Sequence, residues 1–168
     1  ITDVTFTADN ASLTMASAGT QTLTLGGDNG AGVPTDVSAS TFKSGVTALN
    51  IVSAGTDAAA DNAVSVTGTA VATITVTGNE DLDLTANASK AISSIDFSGS
   101  AAEEVSASAS ASTVAMTYKT GSATQTSALT TGKGADTITL GEKDDTVTNS
   151  GDGADTITAG AGNDTITQ

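Results

Sequence analysis

Apolar and small polar residues alternate along much of this chain. In "VATITVTG", Ala72, Ile74 and Val76 point one way and Thr73, Thr75 and Thr77 the other. "SIDFSG" repeats the scheme with Ile95 and Phe97, "AMTYKTG" with Met116 and Tyr118, and "TITLG" with Ile138 and Leu140. Each stretch ends at or near a glycine. A period of two is that of a strand with one face buried. The density of Thr, Ser and Gly argues against helix.

These strands recur. The steps Leu23–Leu49, Leu49–Ile74, Ile74–Ile95, Ile95–Met116 and Met116–Ile138 are 26, 25, 21, 21 and 22 residues. Such a period predicts a parallel β-solenoid in which each coil stacks a strand on the last. A second strand per coil is expected at Val64/Val66, Leu82/Leu84 and Val105/Ala107. With stacked strands ~4.8 Å apart, the coils before the closing segment predict a rod about 30 Å long. An antiparallel sandwich is the competing arrangement, but sandwiches fill the space between their sheets with large aromatic residues. Pro34 lies in "GGDNGAGVPTD", read as an excursion from the coil.

The composition fits a thin structure. Thr, Ala and Ser dominate, and there are three Phe, one Tyr and no Trp. A round core needs larger side chains. Acidity removes several function classes. Nineteen Asp and Glu against five Lys, with no Arg, give a formal net charge of −14. No basic patch exists for nucleic acid phosphates or anionic lipid. No apolar run approaches the ~18–20 residues of a membrane span. Cysteine is absent, which suits an extracellular protein held by metal but occurs equally inside cells. The chain opens at Ile1 and stops within a repeat, so a longer parent is expected.

Residues 131–167 divide into four units: "TGKGADTIT", "LGEKDDTVT", "SGDGADTIT" and "AGAGNDTIT", with Asn149 inserted between the second and third. The pattern x-G-x-G-x-D-x-U-x, with U a large aliphatic, matches the calcium-binding β-roll repeat. The first consensus glycine is replaced throughout, by Thr131, Leu140, Ser150 and Ala159. Gly132, Gly141, Gly151 and Gly160 hold the second position, and Gly134, Gly153 and Gly162 the fourth. Lys143 takes that fourth position in the second unit, which weakens the claim of Asp145 and Asp164 relative to Asp136 and Asp155. Each unit reads as a turn plus a strand, with Ile138, Val147, Ile157 and Ile166 directed inward. Two units make one coil of about 18 residues, which stacks unit one under three and two under four.

That stacking brings Asp136 near Asp155 and Asp145 near Asp164. Like charges so held repel, and a divalent cation reverses the sign. Calcium accepts six to eight oxygen ligands in flexible geometry, which aspartates and turn carbonyls supply. Zinc and copper favour nitrogen or sulfur donors, and the chain has neither His nor Cys. The expected metal ligands are Asp136, Asp145, Asp155 and Asp164, cradled by Gly132, Gly134, Gly151, Gly153, Gly160 and Gly162. Asp144, Asp152 and Asn163 read as solvated turn residues. Asp28, Asn29 and Asp36, and Glu80, Asp81 and Asp83, read as surface loops, with further calcium loops as the alternative.

The closing repeats resemble those of RTX proteins, which Gram-negative bacteria export by type I secretion. Together with the preceding "VTGNEDLDLTANASKAISSIDFSGS", they look like the carboxy-terminal region of bacterial surface-layer proteins of the Caulobacter and Campylobacter kind. Because Ile138 continues the Ile74–Ile95–Met116 series, an irregular solenoid over 1–130 is expected to run without a hinge into a calcium β-roll over 131–168. The resemblance implies a secreted structural protein that assembles with copies of itself into a lattice on the cell. Anchoring, for example to cell-surface polysaccharide, is left to regions outside these residues.

Three other functions compete. An RTX adhesin repeat has the same sequence features. Ice binding is suggested by Thr-x-Thr ladders at Thr137/Thr139 with Thr156/Thr158, and Thr146/Thr148 with Thr165/Thr167, although threonine is a favoured outward residue on any strand. Enzyme activity is not expected: the chain lacks His, Cys and Arg, and shows no nucleophile elbow or paired carboxylates of glycosidase type.

Overall fold

The computed structural model describes residues 3–6, 12–26, 36–55, 61–121, 124–149 and 151–168. Every element among them is a strand. The odd-numbered strands are β1 (Asp3–Phe6), β3 (Gly19–Leu25), β5 (Val46–Ser53), β7 (Thr73–Gly78), β9 (Ser94–Ser100), β11 (Thr117–Thr120), β13 (Thr137–Thr139) and β15 (Thr156–Thr158). They form one parallel sheet in chain order. The even-numbered strands form a second: β2 (Ser12–Met15), β4 (Asp36–Phe42), β6 (Asn62–Val66), β8 (Leu82–Thr85), β10 (Glu104–Ser108), β12 (Thr126–Thr131), β14 (Thr146–Asn149) and β16 (Thr165–Thr167). Each coil gives one strand to each sheet, so the chain is a parallel β-solenoid. Both sheets cross residue 131 unbroken, through the pairs β11·β13 and β12·β14.

Why the sequence coils is visible in the burial. Inward positions carry branched aliphatics at or near zero exposure: Leu23, Leu49, Ile51, Ile74, Val76 and Ile95 from one sheet, and Val64, Val66, Leu82, Leu84 and Val105 from the other. The second strands expected at Val64/Val66, Leu82/Leu84 and Val105/Ala107 are β6, β8 and β10. Two inner faces meet in one narrow core, and outward positions hold Thr, Ser and Asp. At the corners, buried serines close the backbone accounts. Ser89 Oγ donates to Val71 O and Ser112 Oγ to Ile92 O, each 2.8 Å, one coil back.

Register corrects three steps of the expected series, Leu23–Leu49, Ile95–Met116 and Met116–Ile138. Ile95 pairs with Tyr118, not Met116, and Tyr118 pairs with Ile138. Leu23 pairs with Ile51, while Gln21 pairs with Leu49. Alternation alone cannot choose between inward positions two residues apart, because both face the core. Met116 is buried just ahead of β11, and Gln21 is fully buried within the aliphatic stripe. Pro34, Asp28 and Asn29 lie outside the described residues; Asp36 opens β4, but its side chain also lies outside them.

The corners that lead from the even-numbered strands to the odd-numbered ones shorten toward the carboxy terminus from β8 onward. Eight residues separate β8 from β9, and five separate β12 from β13. The core thins with them. Ile138 and Val147 are buried as expected, but Ile157 is half-buried and Ile166 is 45% exposed. Ile157 and Ile166 lie on the last coil, where no later strand covers them.

Candidate metal centre

Two corners of the closing coils carry the aspartates. At one, Asp136 follows β12 and Asp155 follows β14; at the other, Asp145 follows β13 and Asp164 follows β15. The strand pairs β13·β15 and β14·β16 set the stacking that the nine-residue repeat predicts. Asp136 and Asp145 are each 1% exposed, whereas Asp155 and Asp164 are half-buried.

Each aspartate reaches back to the coil before it. Asp155 Oδ1 accepts from the Asp136 N–H (2.8 Å), and Asp136 Oδ1 accepts from the Met116 N–H (2.9 Å). At the opposite corner, Asp164 Oδ1 accepts from the Asp145 N–H (3.0 Å), and Asp145 Oδ1 from the Ser127 N–H (2.6 Å). Two carboxylate ladders thus cap turn amides across three coils. Sequence reading placed the aspartates in pairs but missed Met116 and Ser127, whose contribution is a backbone N–H.

The second oxygens are what a metal would answer. Asp136 Oδ2 and Asp145 Oδ2 are buried without a hydrogen-bond partner. The Thr131 hydroxyl lies by Asp136, but it donates to Asn149 Oδ1 (2.9 Å) and has no second proton to give. Burial pushes both carboxyls above the usual range; the Met116 N–H pulls Asp136 down, the Ser127 N–H and hydroxyl and the Gly141 N–H pull Asp145 down, and the charges of Asp155 and Asp164 add to the rise. A buried carboxylate beside another carboxylate, with one oxygen unsatisfied, needs a cation or a proton. Among the described residues no three acidic side chains gather around one point. Calcium here would draw on backbone or hydroxyl oxygens besides the aspartates, and the donor set fits a hard cation.

The glycines act in two ways. Gly134, Gly160 and Gly162 have φ of 133°, 92° and 118°, which side chains rarely adopt. Close approach constrains Gly132, Gly151 and Gly153, and those three as well: a Cβ on Gly160 would lie 1.8 Å from Gly141 O. A Cβ on Gly151 would lie 2.0 Å from Gly132 O, and one on Gly153 1.8 Å from Gly134 O. The inserted Asn149 proves structural. It extends β14 opposite Thr131, accepts from the Gly151 N–H (3.3 Å), and its amide NH2 donates to Asp155 Oδ2. Its signal was the 18-residue step from Thr131, the length of one coil.

Of the weaker candidates, Asp81 Oδ1 accepts from the N–H groups of Glu103 and Glu104 (2.9 and 2.8 Å), so it caps the next coil. Asp83 accepts from the Ser106 hydroxyl, and buried Glu80 from the Asn79 amide (3.0 Å). Asp144 caps the Asn163 N–H at 2.7 Å.

No protein-family profile, curated protein or solved structure matches the chain. The residues alone therefore carry the functional argument.

A pH dependence follows from the raised carboxyls. Their folded-state pKa lies above the unfolded value, so the folded form binds the proton more tightly. That contribution is present below about pH 4 and is lost as pH rises through the raised values. In calcium-free buffer, the closing coils should therefore keep more order near about pH 4 than after pH has risen through the raised values, as circular dichroism would read. The difference should shrink in the Asp136→Asn/Asp145→Asn variant. An unchanged difference would assign the effect to net charge.

Proposed function

We propose that this chain is a structural, calcium-binding part of a secreted bacterial surface protein, of the RTX-bearing surface-layer kind. The observation that carries this reading is the pair of aspartate ladders, each leaving one buried carboxylate oxygen, at Asp136 and Asp145, without a partner. Calcium at the turns would supply positive charge between Asp136 and Asp155 and between Asp145 and Asp164. The chain's own residues hold the carboxylates in place through the Met116, Ser127, Asp136 and Asp145 amides. The outward faces are rows of Thr, Ser and Asp, without recognisable catalytic groups, so a structural rather than enzymatic role is the better reading. A rod with repetitive lateral faces suits side-by-side or head-to-tail contacts between copies. An adhesin repeat accounts for the same features and is separated by images of the parent protein in calcium: sheets for a lattice, isolated rods for an adhesin.

Calorimetric titration tests the metal directly. Calcium should bind and magnesium should not compete at equal concentration. Asp155→Ala should weaken calcium binding about tenfold or more, as loss of a direct ligand requires, while Asp152→Ala should change it little. Absence of any calcium heat and of any calcium-induced structural change would overturn the reading.

A further inference from the structure

The rod has two edges, and they differ in charge. Corners that lead from even-numbered to odd-numbered strands make one edge: residues 16–18, 43–45, 67–72, 86–93, 109–116 and 132–136. Up to residue 135, the only charged side chains on it are Lys43, Lys90 and Lys133, all exposed. The Lys90 carbonyl accepts from the Thr113 N–H (3.1 Å), and the Ser112 carbonyl from the Lys133 N–H (2.8 Å). Lys90 and Lys133 therefore lie two coils apart along one line, and Lys43 turns at the same edge two coils before Lys90. With coils ~4.8 Å apart, the lysines recur about every 10 Å. Asp136, Asp152 and Asp155 join this edge only at the closing turns, where calcium would offset Asp136 and Asp155.

The opposite edge is acidic. Asp61, Asp81 and Glu104 stand at its corners before the inward residues Asn62, Leu82 and Val105. Asn62 pairs with Leu82, and Leu82 with Val105. The three acids thus hold one position on consecutive coils, ~4.8 Å apart. Exposed Glu103 adjoins them, and exposed Glu142 and Asp144 extend the row past an uncharged corner at 121–125. Lys143 is the one cation of this edge among the described residues. Desolvation, then the charges of Asp81 and Asp83, pushes the Asp61 carboxyl up, so the row lacks positive charge. Among the described residues no three acids converge on one point. A line of separate cations suits such a row better than one metal ion.

The lysines supply that line, but not within one chain. None of Lys43, Lys90 and Lys133 forms an ion pair among the described residues. Both sheets and the core lie between the two edges, so the edges of one rod never meet. Two parallel rods share one coil rise, which puts lysines at every second coil opposite acids that recur at each coil.

We propose that the lysine edge of one copy docks along the acidic edge of a second copy, side by side. The contact rests on the self-assembly named above for its setting, but not for its residues. Each docked copy leaves one edge of either sign free, so the contact repeats into a row and does not close.

A carbodiimide, which joins an amine to a touching carboxylate without a spacer, tests this on the full chain in calcium chloride. An equal mixture of ordinary and isotope-labelled chain separates links between copies from links within one. Mixed links from Lys43, Lys90 and Lys133 to Asp61, Glu103 and Glu104 are expected, and few from Lys119, which points outward from β11. Lys90→Glu/Lys133→Glu should lower the linked dimer about tenfold or more, because like charges facing across an interface suppress pairing, while circular dichroism stays unchanged. Adding Glu103→Lys/Glu104→Lys to that variant should restore the dimer. Links from Lys119 as frequent as those from the edge lysines, or an undiminished dimer in Lys90→Glu/Lys133→Glu, would overturn the contact. Calorimetry on the same protein keeps the two proposals apart. Calcium binding without mixed links removes the edge contact and leaves the metal sites, and mixed links without calcium binding do the reverse.

Discussion

Removing calcium should unfold residues 131–168 and leave the coils before them folded. The reason lies in the uneven core. The coils built from β5 to β10 bury Leu49, Ile51, Val64, Val66, Ile74, Val76, Leu82, Leu84, Ile95, Phe97 and Val105. The closing coils up to residue 149 bury only Ile138, Leu140 and Val147 among large aliphatics. Ordering this many residues costs about 1–2 kcal/mol each in backbone entropy, and the paired carboxylates add repulsion. A metal that binds only the folded state stabilises that state. Hydrogen exchange should therefore show the Ile138 and Ile157 amides protected in calcium and unprotected in chelator, while Ile74 and Ile95 stay protected in both. Equal protection of Ile138 and Ile157 in the two conditions would refute calcium-coupled folding. Extracellular calcium modules often bind at ~10⁻⁴–10⁻³ M; such an affinity would keep the segment open inside a cell and close it outside.

Gly153→Ala should be among the most damaging single methyl additions in the chain. The new Cβ would meet backbone, at 1.8 Å from Gly134 O and 2.5 Å from Gly134 C, so no side chain can swing away to make room. Stacked coils would have to part at the corner that holds Asp155. We expect a loss of about 3 kcal/mol, the upper end of overpacking costs, read by urea denaturation in saturating calcium. Gly19→Ala is the control. Its Cβ meets nothing within 4 Å, and only its φ of 89° resists the change, which costs about 1–2 kcal/mol. A Gly153→Ala protein within about 0.5 kcal/mol of the parent, the range of neutral surface changes, would show that the coils do not stack this closely.

Alternation and spacing by themselves determined the solenoid. Thr73–Gly78 and Ser94–Ser100 read as strands because small polar and aliphatic residues alternate there, and a step of 21 residues between Ile74 and Ile95 returns as a register pair. The repeat also determined which aspartates stack, because two nine-residue units fill one coil. Tertiary structure decided what periodicity cannot carry. It chose Tyr118 over Met116 as the partner of Ile95, since two inward positions on one strand look alike until a neighbour fixes the register. It showed that the glycines cradling the aspartates all meet backbone of the coil beneath, and that Gly134, Gly160 and Gly162 need a positive φ as well. It also buried Asp145 over Ser127, whose N–H its carboxylate accepts. Nothing local marks the two as partners, because burial and contacts between coils arise only when one coil closes over another.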